Sequence, residues 1–156
     1  VTSVEQQVIN NYQSWLRLGH KHHPRRLKVR SRRPLVCPSA SIELADSVFA
    51  KFDEVTESVV YFEDSITISE IVKDVVDRER FQIDNRLTGQ CITRLCVHWD
   101  NGCRLGWFVS KTSLEPEEVS TVCTIKDSCR WRAENGSSIC APCSRVRNIK
   151  LGESLT

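Results

Sequence analysis

Eight cysteines are the side chains in this sequence best able to do chemistry, and their spacing is uneven. Cys37 stands alone before residue 91; Cys91, Cys96, Cys103, Cys123, Cys129, Cys140 and Cys143 follow it. An even count fits four disulfides, with the connectivity left open by sequence alone, and disulfides imply an oxidising compartment. The rival chemistry is zinc, since Cys91-x4-Cys96 and Cys140-x2-Cys143 supply four thiolates. The first spacing is too long for a zinc knuckle, and Cys103, Cys123 and Cys129 would be left without a role, so no metal or other cofactor is expected. Asn135-Gly-Ser is an acceptor sequon for N-glycosylation and points to the same compartment. The chain begins at Val1 without a methionine, and is read either as a chain whose secretory signal has been removed or as a trimmed form of a longer one.

Other reactive constellations are weaker. Cys140-Ala-Pro-Cys143 has the spacing of a dithiol redox site, which needs a low-pKa thiol at a helix N-terminus after a strand. Here it follows residues that read as a hairpin strand, and a structural disulfide is the preferred reading. The paired acids Asp53/Glu54 and Glu63/Asp64 have no histidine or basic partner at matching spacing and read as solvated faces. His20, His22 and His23 are read as ordinary solvated histidines rather than metal ligands. No phosphate-binding, zinc-protease or nucleophile-elbow motif occurs, and no enzyme is expected.

The chain has 156 residues, with 22 Lys+Arg against 20 Asp+Glu. It is long enough for a real core, so the cysteines are not there merely to rescue a small one. No run of apolar residues approaches the length of a membrane span. The small net charge of +2 hides three blocks: +7 over residues 1–33, −8 over 34–79 and +3 over 80–156. The basic run from His20 to Pro34 has no acid and reads as an exposed, mobile linker. It is open to three uses: a proprotein cleavage site at Arg30-Ser-Arg32-Arg33, a heparin-like polyanion patch, or a plain solvated linker. Nucleic acid is not expected, because aromatic residues are missing from the run and the next segment is acidic. Residues 1–33 thus form an N-terminal helix and basic linker, a candidate propeptide, and 34–156 the cysteine-rich domain.

These side chains need elements to position them. Ser3-Val-Glu-Gln6 has capping-box spacing, and Val4, Val8, Tyr12, Trp15 and Leu16 recur at helical intervals, so 4–18 reads as an amphipathic helix ended by Gly19. Ile42, Ala45, Val48, Phe49 and Phe52 fit a second helical face. Residues 58–62 read as a strand, and Ile68 to Val76 as a helix with strand as its alternative. From Cys91 the period becomes two. A β-hairpin is expected over 91–109 around Asp100-Asn-Gly102, a second over 130–140 around Asn135-Gly136, and a strand over 119–125.

The stretch Asp77-Arg-Glu-Arg-Phe81, followed by Gln90-Cys-Ile-Thr-Arg-Leu-Cys96 and by Cys140 and Cys143, resembles the interleukin-17 cytokine family over residues 77–143. Cys140-Ala-Pro-Cys143 departs from that family's C-x-C by one added residue. The resemblance implies a mainly β fold of antiparallel ribbons in a disulfide-crosslinked, cystine-knot-like cytokine, to which the periodicity adds one or more helices in the N-terminal half. It implies bridges Cys91–Cys140 and Cys96–Cys143, with Cys37 and Cys123 available to join two protomers. Cys103 and Cys129 have no family equivalents and are left to bridge the two hairpins. The function so implied is a secreted, disulfide-stabilised homodimeric ligand for single-pass receptor ectodomains. Trp99, Trp107 and Trp131 are then candidate receptor contacts, with core or dimer packing as their alternative. A monomeric secreted binding or inhibitor protein and a neurotrophin-like growth factor are the other readings.

Overall fold

The structure, a computed structural model, describes residues 3–24, 34–71, 77–112 and 123–147. It is mixed α and β rather than mainly β. The first helix, α1 (Val4–Arg17), forms as its sequence predicts. The Ser3 hydroxyl accepts from the Gln6 amide at 3.1 Å, and Glu5 sits in the first turn and Arg17 in the last, each at the favourable end of the helix dipole. Gly19, at φ +87°, follows its end.

Four strands make one antiparallel sheet: β1 (Val36–Cys37), β2 (Ser47–Asp53), β3 (Ser58–Thr67) and β4 (Asn85–Gln90), in the spatial order β1-β4-β2-β3. The expected helical face over 42–52 is instead the approach to β2 and β2 itself. Ile42, Ala45 and Val48 pack in one cluster with Leu87, whereas Phe49 packs in another with Val59 and Ile125. The same apolar residues that mimic one stripe of a helix serve the two faces of a central strand. A register shift between Val48 and Ala50 lets Phe49 and Ala50 enter the same cluster. Gly89 in β4 allows the Leu44–Ala45 backbone to cross close above it; a Cβ there would be driven into the Leu44 carbonyl oxygen.

Short helices fill the rest: α2 (Ile68–Ile71), α3 (Arg78–Asp84), α4 (Arg104–Ser110), α5 (Arg130–Asn135) and α6 (Cys140–Cys143), with 3-10 turns at Thr93–Leu95 and Ser137–Ile139. Helix α2 falls where a helix was the preferred reading; residues 72–76 lie outside the described ones. Both hairpins of the cysteine-rich half are overturned. The Asp100–Gly102 turn exists, but only the single bridge Trp99–Cys103 flanks it, and α4 follows at once. Leu105, Trp107 and Val109 alternate as a strand would, yet Leu105, Phe108 and Val109 are the buried ones, at helical spacing. Likewise Gly136, at φ +84°, caps α5 rather than turning a hairpin. An Asn-Gly pair signals positive φ, which a helix C-terminus uses as readily as a type I′ turn. Residues 119–122 of the expected strand lie outside the described ones, and Cys123 onward is a turn.

Helices α1, α4 and α5 share one core: Val8 and Tyr12 meet Leu105, Phe108, Val109 and Trp131. In the 20–24 segment His20, Lys21, His22 and Pro24 are exposed as expected of a solvated run, and His23 is the buried exception. The His20 ring stacks on Trp15 with centroids 5.2 Å apart, and the buried His23 donates its amide to Asp100 Oδ2 at 2.6 Å.

Candidate functional site

The eight cysteines, all thiols in the structure, fall into two sets that are contiguous in sequence. Cys37, Cys91, Cys96 and Cys103 line one cleft, of about 560 Å³. Cys123, Cys129, Cys140 and Cys143 line a second, of about 330 Å³. Trp131, 1% exposed, borders both. Each set is assembled by turns and helix ends. In the first, Cys37 ends β1, Cys91 follows β4, Cys96 closes the 3-10 turn, and Cys103 caps α4, its sulfur accepting from the Gly106 amide at 3.4 Å. In the second, Cys129 precedes α5 and Cys140 and Cys143 bound α6, while the Cys123–Ser128 turn brings Cys123 alongside.

The bridges that the resemblance implies are not brought together. Cys91 and Cys96 lie with Cys37 and Cys103, while Cys140 and Cys143 lie with Cys123 and Cys129. Cys103 and Cys129, expected to bridge two hairpins, belong to different sets, and the hairpins do not form. Cys37 and Cys123, the expected inter-chain pair, each have three sulfurs of their own chain around the same cleft.

Burial raises most of these thiols. It pushes Cys37 and Cys129 up to about 12, and it also raises Cys96, Cys103, Cys123 and Cys140, with neighbouring sulfurs adding to the effect. A thiol displaced in that direction is a poor nucleophile at neutral pH. Cys140-Ala-Pro-Cys143 does lie on a helix, contrary to the hairpin reading, but α6 is a single turn and burial raises Cys140 rather than lowering it. Among the described residues, no three His, Cys, Asp or Glu side chains converge as a metal site would require.

Two buried charged residues that the sequence gave no reason to single out hold the sets in place. Arg86 on β4 is 0% exposed. Its Nη1 donates to the carbonyls of Cys143 (2.7 Å) and Val146 (2.9 Å), its Nη2 to Pro38 (3.0 Å) and to Cys143 Sγ (3.2 Å). Phe49 and Trp131 flank the guanidinium at 5.5 and 5.7 Å. One side chain thus ties the sheet to the Pro38 turn and to the second cysteine set. Glu134 on α5 accepts from the Cys103 amide at 2.9 Å and pairs with Arg130 at 3.4 Å, which ties α5 to the first set.

The first cleft also gathers exposed apolar surface. Leu44, Leu95 and Val97, which are 50%, 79% and 51% exposed, all stand on it. The three candidate tryptophans differ in access. Trp131 is enclosed in the helical core, which removes it as a receptor contact. Trp99 and Trp107 are half-buried, the first under Arg130 at 5.0 Å and the second under the Lys111 ammonium at 4.0 Å. Asn135 is half-buried at the end of α5, and its Nδ2, the atom a glycan would occupy, donates to the Trp131 carbonyl at 3.0 Å. Arg30, Arg32 and Arg33 lie outside the described residues. Asp77 and Arg80, which carry part of the resemblance, have a local use: Asp77 caps α3 by accepting from the Arg80 amide at 3.0 Å, and Arg80 pairs with Asp84 at 2.9 Å.

The chain matches no protein-family model, no curated protein and no solved structure.

Proposed function

We propose that the protein is a secreted, disulfide-stapled binding protein that works by recognition and has no catalytic step. The observation that carries this reading is the gathering of eight cysteines into two sets of four, each with enough sulfurs to close two bridges inside one chain. Burial leaves these thiols poor nucleophiles in the folded chain, which counts against turnover. The recognition surface is the apolar rim of the larger cleft, Leu44, Leu95 and Val97. Clustered exposed apolar residues mark contact sites, whereas isolated ones need no explanation.

A signalling ligand that dimerises and engages receptor ectodomains is the second reading, carried by the stretches 77–81 and 90–96. The same apolar rim would serve it as a receptor or partner face. Gel mobility without and with reductant, together with light scattering of the secreted protein, separates the two. A monomer that migrates faster before reduction supports the binding protein, and a dimer that reductant dissolves supports the ligand. A Leu95→Asp, Val97→Asp double variant is expected to be secreted normally and to lose binding to cell surfaces. Unchanged binding would exclude the rim.

A further inference from the structure

We infer that each set of four cysteines closes on itself: Cys37, Cys91, Cys96 and Cys103 form two disulfides, Cys123, Cys129, Cys140 and Cys143 form two more, and no bridge joins the sets. This rests on the secreted, oxidised state proposed above and goes beyond it by dividing the crosslinks.

The placement carries it. Antiparallel pairing sets Val36 opposite Gln90 and Cys37 opposite Gly89, and the Cys91 amide donates to the Leu35 carbonyl at 3.0 Å, so Cys37 and Cys91 share one side of the two-stranded edge. The 3-10 turn Thr93–Leu95 then folds Cys96 back toward them, with the Cys96 amide donating to the Thr93 carbonyl at 2.8 Å. Cys103 completes the set from the α4 cap. In the second set, the amides of Lys126 and Ser128 close the 123–129 turn on the carbonyls of Cys123 and Ile125, and α6 presents Cys140 and Cys143 one turn apart. Trp131, which is 1% exposed and lines both clefts, packs against Gly106 so closely that a Cβ there would lie 2.6 Å from the ring, so its indole is a fixed part of both linings. Among the described residues, no three His, Cys, Asp or Glu side chains are grouped as a shared metal ion would require.

Each bridge forms by thiol–disulfide exchange with a disulfide oxidant of the secretory compartment. Two cysteine thiols lose two protons and two electrons to make one S–S bond, and the oxidant's S–S bond is reduced to two thiols. The step belongs to folding, before burial raises the thiols.

Because the sets are contiguous in sequence, one digest tests the division whatever the pairing inside each set. Cleavage after every lysine yields peptides 29–51 with Cys37, 74–111 with Cys91, Cys96 and Cys103, 112–126 with Cys123, and 127–150 with Cys129, Cys140 and Cys143. The experiment takes the full chain secreted from animal cells, blocks free thiols with iodoacetamide under denaturing conditions, digests the unreduced protein, and reads linked peptides by mass spectrometry. The expected result is 29–51 joined to 74–111 and 112–126 joined to 127–150. A link from 74–111 to 127–150, or from 29–51 to 112–126, overturns the division while leaving the secreted, crosslinked reading intact. Blocking agent on all eight cysteines overturns both.

Discussion

At the scale of the residue, His98 and Arg86 carry the clearest consequences. Burial and the nearby Arg104 guanidinium lower the His98 imidazole to about 4 from its usual 6.5, and Nδ1 lies 3.1 Å from the Tyr12 hydroxyl. In the unfolded chain the ring takes up its proton near 6.5, so between the two values the unfolded state binds more protons than the folded one. Stability is therefore fully present above that window and falls as the pH drops through it, by up to about 3 kcal/mol from this group. Glu5, whose carboxyl burial raises above 4.5, works in the opposite sense at the acid end of the window. Urea midpoints of the wild type and of His98→Gln between pH 7 and 4 check this: the wild type should lose more stability than the variant, and parallel curves would remove the histidine from the account. Arg86→Met should cost about 3–5 kcal/mol, because the carbonyls of Pro38, Cys143 and Val146 lose their buried donor. Arg86→Lys should recover only part, since an ammonium cannot reproduce the planar fork.

At the scale of the element, α1 belongs to the helical core, with Val8 and Tyr12 both at 0% exposure. Residues 1–33 contain no cysteine, so packing alone retains them after a cut at Arg33. Protein cleaved there should elute as one species from a sizing column and separate into two under denaturing conditions; loss of the fragment in native buffer would support a shed propeptide. Gly106→Ala should destabilise the α4–α5 contact by about 1–3 kcal/mol, since the added methyl meets the enclosed Trp131 indole. The elements legible in the sequence are those fixed locally. Ser3 announces α1 by its cap, residues 58–62 read correctly as part of β3, and Asp100-Asn-Gly102 does turn. Helix α4 was hidden because Leu105, Trp107 and Val109 satisfy a period of two while Leu105, Phe108 and Val109 satisfy one of 3.6, and only tertiary burial chooses; α5 was hidden because Asn135-Gly136 reads as a hairpin turn as readily as a helix end. β2 was hidden for the converse reason, since a strand buried on both faces imitates a helical stripe.

At the scale of the whole molecule, the cysteines and their even number were legible, and their partition was not. Spacing along the chain places Cys96 nearer Cys103 than Cys37, but the set is closed by β1 pairing with β4, a contact that no local signal announces. Arg86 was equally hidden, because an arginine in a strand usually points to solvent, and its enclosure depends on the Pro38 turn and α6 arriving from distant parts of the sequence. The molecule so assembled has a sheet on one side, a helical core on the other, and a sulfur set at each of two clefts bordered by Trp131. If the crosslinks staple it, reductant should lower the urea midpoint markedly, each bridge contributing roughly 2–4 kcal/mol. An unchanged midpoint would mean that packing alone holds the fold. The most direct measurement is a free-thiol titration of the secreted, fully denatured protein without reductant: no reactive thiol is expected, and eight would contradict an extracellular, disulfide-stapled protein.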